Sequence, residues 1–211
     1  MVKINWHGHA WFEIKGEKAS VVTDPFKGIG LPEPKLTADI VLSSHSHSDH
    51  AATEFVEGAL AVKEFVGEKT IAGVSIKGVA TFHDEAQGVQ RGKNSVYVFE
   101  VDGIRFCHLG DLGHALTAEQ LEAIGEVDVL LIPVGGNYTI DAQAATREVE
   151  KLAPKIVIPM HIKLPGLSVN IATVDGFLEG KTNVERIDAN SIELTKADLP
   201  TSTIIKVLKY G

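Results

Sequence analysis

The sequence predicts a single α/β domain, residues 1–211, with a metal site along the ends of its strands. Three observations carry that expectation. The first third of the chain is rich in short apolar, β-branched runs, and the remainder alternates such runs with helical stretches. Two stretches, 38–52 and 126–145, share one layout of buried strand, polar loop and Ala-rich helix start. Residues of metal-ligand type follow directly on the C-terminal ends of the runs.

In chain order, strands are predicted at 10–15 and 18–24, with Gly16-Glu17 as a hairpin turn between them. Residues 25–34, with Gly28, Gly30 and Pro32, read as a loop, and residue 51 onward as the start of a short helix limited by Gly58. Further strands are expected at 73–81, 95–101 and 104–109, the last two joined by a tight turn at Asp102-Gly103. Thr117 followed by Gln120 is a capping-box signature and starts a helix at 117–124. A buried strand at 127–134, a helix at 141–152 N-capped by Asp141 and a buried strand at 155–160 come next. A short helix at 172–178 and strands at 184–187, 191–194 and 203–208 complete the chain.

Composition narrows the function. With 44% hydrophobic residues the chain can bury a sizeable core, and its net charge of −8 argues against a nucleic-acid surface. One cysteine, Cys107, excludes a disulfide framework and reads as buried packing. There is neither a secretory leader pattern nor an 18-residue apolar run, so the expectation is a cytoplasmic protein without a membrane span.

The densest signal is His45-Ser46-His47-Ser48-Asp49-His50, leaving the apolar run 40–43. Imidazole and carboxylate are the usual ligands of zinc and related divalent ions. In extended backbone residues two apart point the same way, so His45 and His47 can share one metal, while Asp49 and His50 beyond the turn can face a second. His83, Asp111 and His161 each end a predicted strand and are the further candidates. There is no G-x-S-x-G nucleophile elbow and no Walker-type phosphate loop to compete.

This motif, with His83, Asp111 and His161 in that order, resembles the metallo-β-lactamase fold superfamily across nearly the whole chain, and Asp24-Pro25 resembles its early Asp motif. Gly8-His9-Ala10 and residues 135–141 resemble the branch of L-ascorbate-6-phosphate lactonase and uncharacterised metal-dependent hydrolases. The resemblance implies a four-layer αββα sandwich with metals at the sheet edges. It implies His45, His47 and His83 on one metal, Asp49, His50 and His161 on the other, and Asp111 bridging. Zinc or manganese suits these ligands best, with iron or nickel as alternatives. His47 stands where oxygen-reducing diiron members carry Glu, which disfavours redox chemistry.

Around the ligands, Asp24 reads either as a carboxylate orienting a ligand imidazole or as a turn residue before Pro25. His9 either lines the cleft or is a core histidine, and His114 is either a general acid or a surface histidine. Asn137, Tyr138 and Lys163 are the expected substrate contacts; Arg91 and Lys93 could also grip a substrate anion but read more readily as solvated charges. The function expected is hydrolysis of an ester-like bond, lactone or phosphoester, in a small anionic molecule by metal-activated hydroxide, with Asp49 aiming the attack. The alternative is a metal-binding sensor or scaffold without turnover.

Overall fold

A computed structural model describes residues 1–211 and places the strands in two large sheets. The six-stranded sheet runs, in spatial order, Ser191–Leu194, Val2–Trp6, Phe12–Lys15, Ser20–Thr23, Ile40–Ser43 and Leu60–Lys63. The eight-stranded sheet runs Val184–Ile187, Ile204–Leu208, Ile156–Met160, Val129–Pro133, Ile104–His108, Lys93–Val101, Val74–Phe82 and Gly67–Ile71. One continuous cluster of 57 buried residues draws on both sheets, so they share a core.

The central strands of each sheet are buried at every position: Ser20–Thr23 and Ile40–Ser43 in one, Val129–Pro133 and Ile156–Met160 in the other. That is why they read as unbroken apolar runs: a strand covered on both faces has no polar face to alternate with. Ile104–His108, Val129–Pro133 and Ile156–Met160 are parallel neighbours, so their right-handed crossovers put helices α1 (Ala118–Ile124) and α2 (Ala142–Leu152) on one face of the larger sheet. The short α3 (Asp175–Leu178) packs on α2. The Thr117–Gln120 capping box forms as predicted, and Asp141 caps α2 through Ala144 N.

The expected helix after residue 51 is reduced to one 3-10 turn, Thr53–Phe55. The chain there instead enters Val56–Glu57, which pairs with Leu36–Thr37 in a two-stranded ribbon. The parallel connections of the smaller sheet, 24–39 and 44–59, meet where Trp11 packs on Phe26 and Phe55. No helix in the fold is long and apolar enough to cross a membrane.

Parallel order also fixes where chemistry can occur. Thr23, Ser43, Phe82, His108, Pro133 and Met160 are strand C-termini, and the segments that follow them carry the candidate ligands.

At the opposite end of the larger sheet, Asp128 accepts from Arg105 N (2.9 Å), Lys155 Nζ (2.9 Å) and Lys196 Nζ (2.6 Å), tying three segments together. Burial pushes its pKa up, but the Lys196 and Lys155 ammoniums and the Arg105 amide outweigh this and hold it below the usual carboxylate range. Both lysines are about half exposed, so Asp128→Asn is expected to cost only about 1 kcal/mol at neutral pH after screening. A depressed carboxylate stabilises above its unfolded pKa, roughly 4, and loses that contribution as pH falls through the folded value. Urea unfolding at pH 7 and pH 3 should show a gap between wild type and variant that narrows in acid; a gap independent of pH would mean the charge is not what matters.

Candidate metal centre

The site is assembled from turns that only particular residues can make. His9, Asp24, Asn137 and His161 are four of the nine non-glycine residues with left-handed backbone, at φ of 51°, 40°, 62° and 52°. Such conformations are strained for these residue types and are retained where surrounding structure over-determines them. Two glycines keep the backbone close. A Cβ on Gly135 would lie 2.1 Å from His161 O, and one on Gly113 would lie 2.3 Å from the His83 carbonyl carbon.

These turns bring together ligand atoms separated by more than a hundred residues. His45, His47 and His83 form one group and His9, Asp49, His50 and His161 another; within each, all potential ligand atoms lie within 4.8 Å of one another. His45, His50 and Asp111 form a third group that joins them. Asp111 sits between: its Oδ1 is 3.2 Å from His50 Nε2, and its Oδ2 is 3.1 Å from His83 Nε2 and 3.4 Å from His161 Nε2. His45, His50, His83, Asp111 and His161 are buried, while His47 and Asp49 open onto the cleft.

His45 Nε2, His50 Nε2 and Asp111 Oδ1 are buried without a hydrogen-bond partner. The close approach of His50 to Asp111 does not contradict this, because the two atoms are near but not aligned as donor and acceptor. Orphaned buried polar atoms are costly, and several converging on one point fit a cation. Burial, with the charge of neighbouring His50, lowers the His45 pKa to about 3, so its imidazole is in the neutral form a metal needs. Burial opposes ionisation of Asp111, but the imidazoles of His161 and His50 outweigh it and hold its carboxyl well below the usual range.

Asp24 is the hub behind the ligands. Its Oδ2 lies 2.9 Å from His50 Nδ1 and 2.9 Å from His108 Nε2 and accepts from Ser44 Oγ (2.6 Å); its Oδ1 accepts from Ser44 N (2.7 Å). The turn reading of Asp24 and the ligand-orienting reading thus coexist in one side chain. His108 is fully buried and was missed from sequence because it sits inside a strand rather than after one. Asn94, also unforeseen, accepts from Asp111 N (3.0 Å) and donates to Leu109 O and Thr81 Oγ1, clamping the Gly110-Asp111 turn.

His9 is buried, with Nε2 3.3 Å from Asp49 Oδ2 and its ring 4.1 Å from that of His161. It faces the cluster, not the apolar core alone. His114 stands apart. Its Nε2 accepts from Phe82 N (3.1 Å), so its Nδ1 carries the proton and donates to Ala115 O (2.8 Å). With both ring nitrogens held by backbone, the general-acid expectation for His114 does not fit this geometry.

The cleft over the cluster encloses about 570 Å³, and Tyr138, Asn170 and Ser168 contribute to its walls. Asn137 supports this wall by donating to Asn170 O (2.8 Å). Lys163 is not among the lining residues. Its ammonium donates to Leu167 O (2.5 Å) and Val169 O (3.0 Å), so it shapes the 164–170 loop and does not reach into the cleft. Arg91, the less favoured of the sequence candidates for gripping an anion, does line the cleft.

Comparison with known proteins agrees with this arrangement. Residues 3–161 match the β-lactamase superfamily domain. A UPF0173 metal-dependent hydrolase of Thermoplasma volcanium is 34% identical, over 76% of this chain and 83% of its own length. One from Thermococcus onnurineus is 33% identical, over 76% of this chain and 84% of its own. A crystal structure from Thermotoga maritima, of a protein whose proposed identity is a Zn-dependent hydrolase of the metallo-β-lactamase superfamily, is 42% identical. It covers 99% of this chain and 100% of its own, with a TM-score of 0.82.

Proposed function

The chain belongs to the β-lactamase superfamily and, within it, to the UPF0173 metal-dependent hydrolases, and on that premise we propose that it hydrolyses an ester-like bond of a small anionic molecule with two divalent ions. The observation that carries this is the pair of ligand groups meeting at one buried carboxylate, Asp111. His45, His47 and His83 would hold one ion, Asp49, His50 and His161 the other, and Asp111 would serve both. Zinc or manganese is the expected metal, from the mixture of imidazole and carboxylate ligands. Two such ions, when bound, lower the pKa of water towards 7 and polarise a carbonyl or phosphoryl oxygen.

The residues of the chain supply order around that chemistry. Asp24 fixes the tautomer and tilt of His50 through Nδ1. Asp49, steadied by His9 and open to the cleft, would accept a hydrogen bond from the attacking water and aim it. Tyr138 and Asn137 shape the wall against which the rest of the substrate lies. A phosphorylated sugar-like lactone is one candidate, supported by Gly8-His9-Ala10 and residues 135–141; a phosphodiester is the other.

Purified protein loaded with zinc or manganese is expected to carry two ions per chain by elemental analysis. It should hydrolyse at least one class in a panel of phosphorylated lactones, phosphodiesters and neutral lactones, far faster than free metal does. Two bound ions with no turnover of any panel member would favour the sensor or scaffold reading. One ion or none would remove the binuclear assignment.

A further inference from the structure

Arg91 sits where the cleft over the metal cluster meets a second, polar recess of about 390 Å³. The two spaces share three lining residues, His83, Arg91 and Tyr138. Arg91 is half-buried and forms no ion pair; its partners are a carbonyl oxygen, Asn137 O at 3.3 Å, and the face of the Tyr138 ring at 5.5 Å. Of the other six half-buried cations in this chain three, Lys77, Lys155 and Lys206, have carboxylate partners. A guanidinium offers five donors in a planar fork, and one carbonyl leaves most of them free.

The backbone under Arg91 is unusually well held. Asp84, next after His83, accepts from four amides: Ala86 and Gly88 on Oδ1, Gln90 and Arg91 on Oδ2. That single carboxylate organises residues 84–91 into a closed loop and fastens it to the strand that delivers His83. The loop returns to the sheet through Gly92, whose carbonyl accepts from His83 N (3.0 Å). Arg91 is thus carried by the same rigid piece as a ligand of the first metal group, so its offset from the reacting centre is set by the fold. The carboxylates it shares the cleft with, Asp49 and Asp111, belong to the ligand set and are neutralised when that set is filled.

We infer that Arg91 is the specificity-determining residue of the cleft. It pairs with an oxyanion, carboxylate or phosphoryl, carried by the substrate at a distance from the scissile bond. This rests on the hydrolase reading for the location of that bond and adds which side chain reads the charge. It assigns to Arg91 the role that sequence pattern gives to Lys163, whose ammonium is already taken up by two loop carbonyls. The guanidinium lies over the face of the Tyr138 ring and gives one N–H to Asn137 O, leaving its remaining donors for the ligand.

The test uses three probes of matched length with the full-length, metal-loaded protein: 4-nitrophenyl valerate, mono-4-nitrophenyl glutarate and 4-nitrophenyl 4-phosphonobutyrate. Wild type should prefer one or both anionic esters. Arg91→Met should lower kcat/KM for the preferred anion by about ten- to a hundredfold while changing the valerate less than about twofold. Arg91→Lys should recover part of the loss, since it keeps charge but not the planar fork. Loss on the glutarate alone assigns a carboxylate, and loss on the phosphonate alone a phosphoryl group. An equal fall on all three esters, or none, would overturn the assignment.

Calorimetric titration of glutarate, 4-phosphonobutyrate and valerate into the same proteins keeps the two readings separate. At least one of the two dianions should bind more tightly than valerate in wild type and no more tightly than valerate in Arg91→Met. If that difference is present without turnover, the hydrolase reading falls and the role of Arg91 stands. Equal binding of all three in wild type overturns it. Metal content and far-UV circular dichroism of each variant confirm that the site is intact, and Lys163→Ala, outside the cleft lining, should affect charged and neutral probes alike.

Discussion

Asp111→Asn is expected to empty both metal positions together. The carboxylate is buried and its two oxygens face His50 on one side and His83 and His161 on the other. No neighbouring side chain can replace it, since Asn94 is occupied with Asp111 N, Leu109 O and Thr81 Oγ1. Partners one step removed from a metal are worth roughly 10- to 100-fold in affinity or activity, so a residue contacting both ions should exceed the top of that range. Elemental analysis after dialysis should find neither ion at stoichiometry. Retention of one full equivalent would show that Asp111 serves a single position.

The second large effect is expected from Asp24→Ala, a residue that touches no substrate. Removing it leaves His50 Nδ1, His108 Nε2 and Ser44 N without their acceptor in the most buried part of the site. Breaking a buried charged network by deleting one partner costs about 3–5 kcal/mol. The His108 and His50 imidazoles, outweighing burial, hold Asp24 far below the usual carboxylate range, so its contribution should survive well into mild acid. Metal affinity should fall by about 10- to 100-fold as His50 loses its orientation. Asp24→Asn, which keeps the shape and one acceptor, should lose affinity more than stability. If both variants unfold equally and bind metal equally, Asp24 is a structural residue only.

Most of the architecture can be read from the residues because burial and pattern agree. The runs at 127–134 and 155–160 are strands covered on both faces, and their apolar monotony is visible without a structure. Leu60–Lys63 and Gly67–Ile71 escape because they are edge strands with mostly exposed side chains, where pairing and not side-chain pattern makes the strand. Ala51-Ala52 reads as a helix start, but local propensity yields there to the Val56–Glu57 pairing.

The ligand residues are legible for a different reason. A metal site needs particular atoms at strand ends, and His45 to His50, His83, Asp111 and His161 are unusual residues in expected places. Asp84, Asn94 and His108 are common polar residues whose roles depend on contacts across the fold, which spacing alone does not encode. The order of preference between Lys163 and Arg91 reverses on the same ground: which long cation faces the cleft is decided by the loop conformation beneath it.

The wide separation of the ligands along the chain bears on how the protein folds and lasts. His45 and His161 follow strands of different sheets, and no short stretch of chain holds a complete group of four. An unfolded chain therefore offers ions little more than the 45–50 segment, so nearly all the binding energy is added to the native state. Bound ions act as a rivet between the two sheets, closing loops of more than a hundred residues. Each tenfold rise in free metal above the dissociation constant should slow or shift unfolding by about 1.4 kcal/mol per site. Chelation should then expose the site-bearing segments to proteolysis before the Asp128 end of the larger sheet, giving a molecule whose lifetime is set by metal supply as well as by its core.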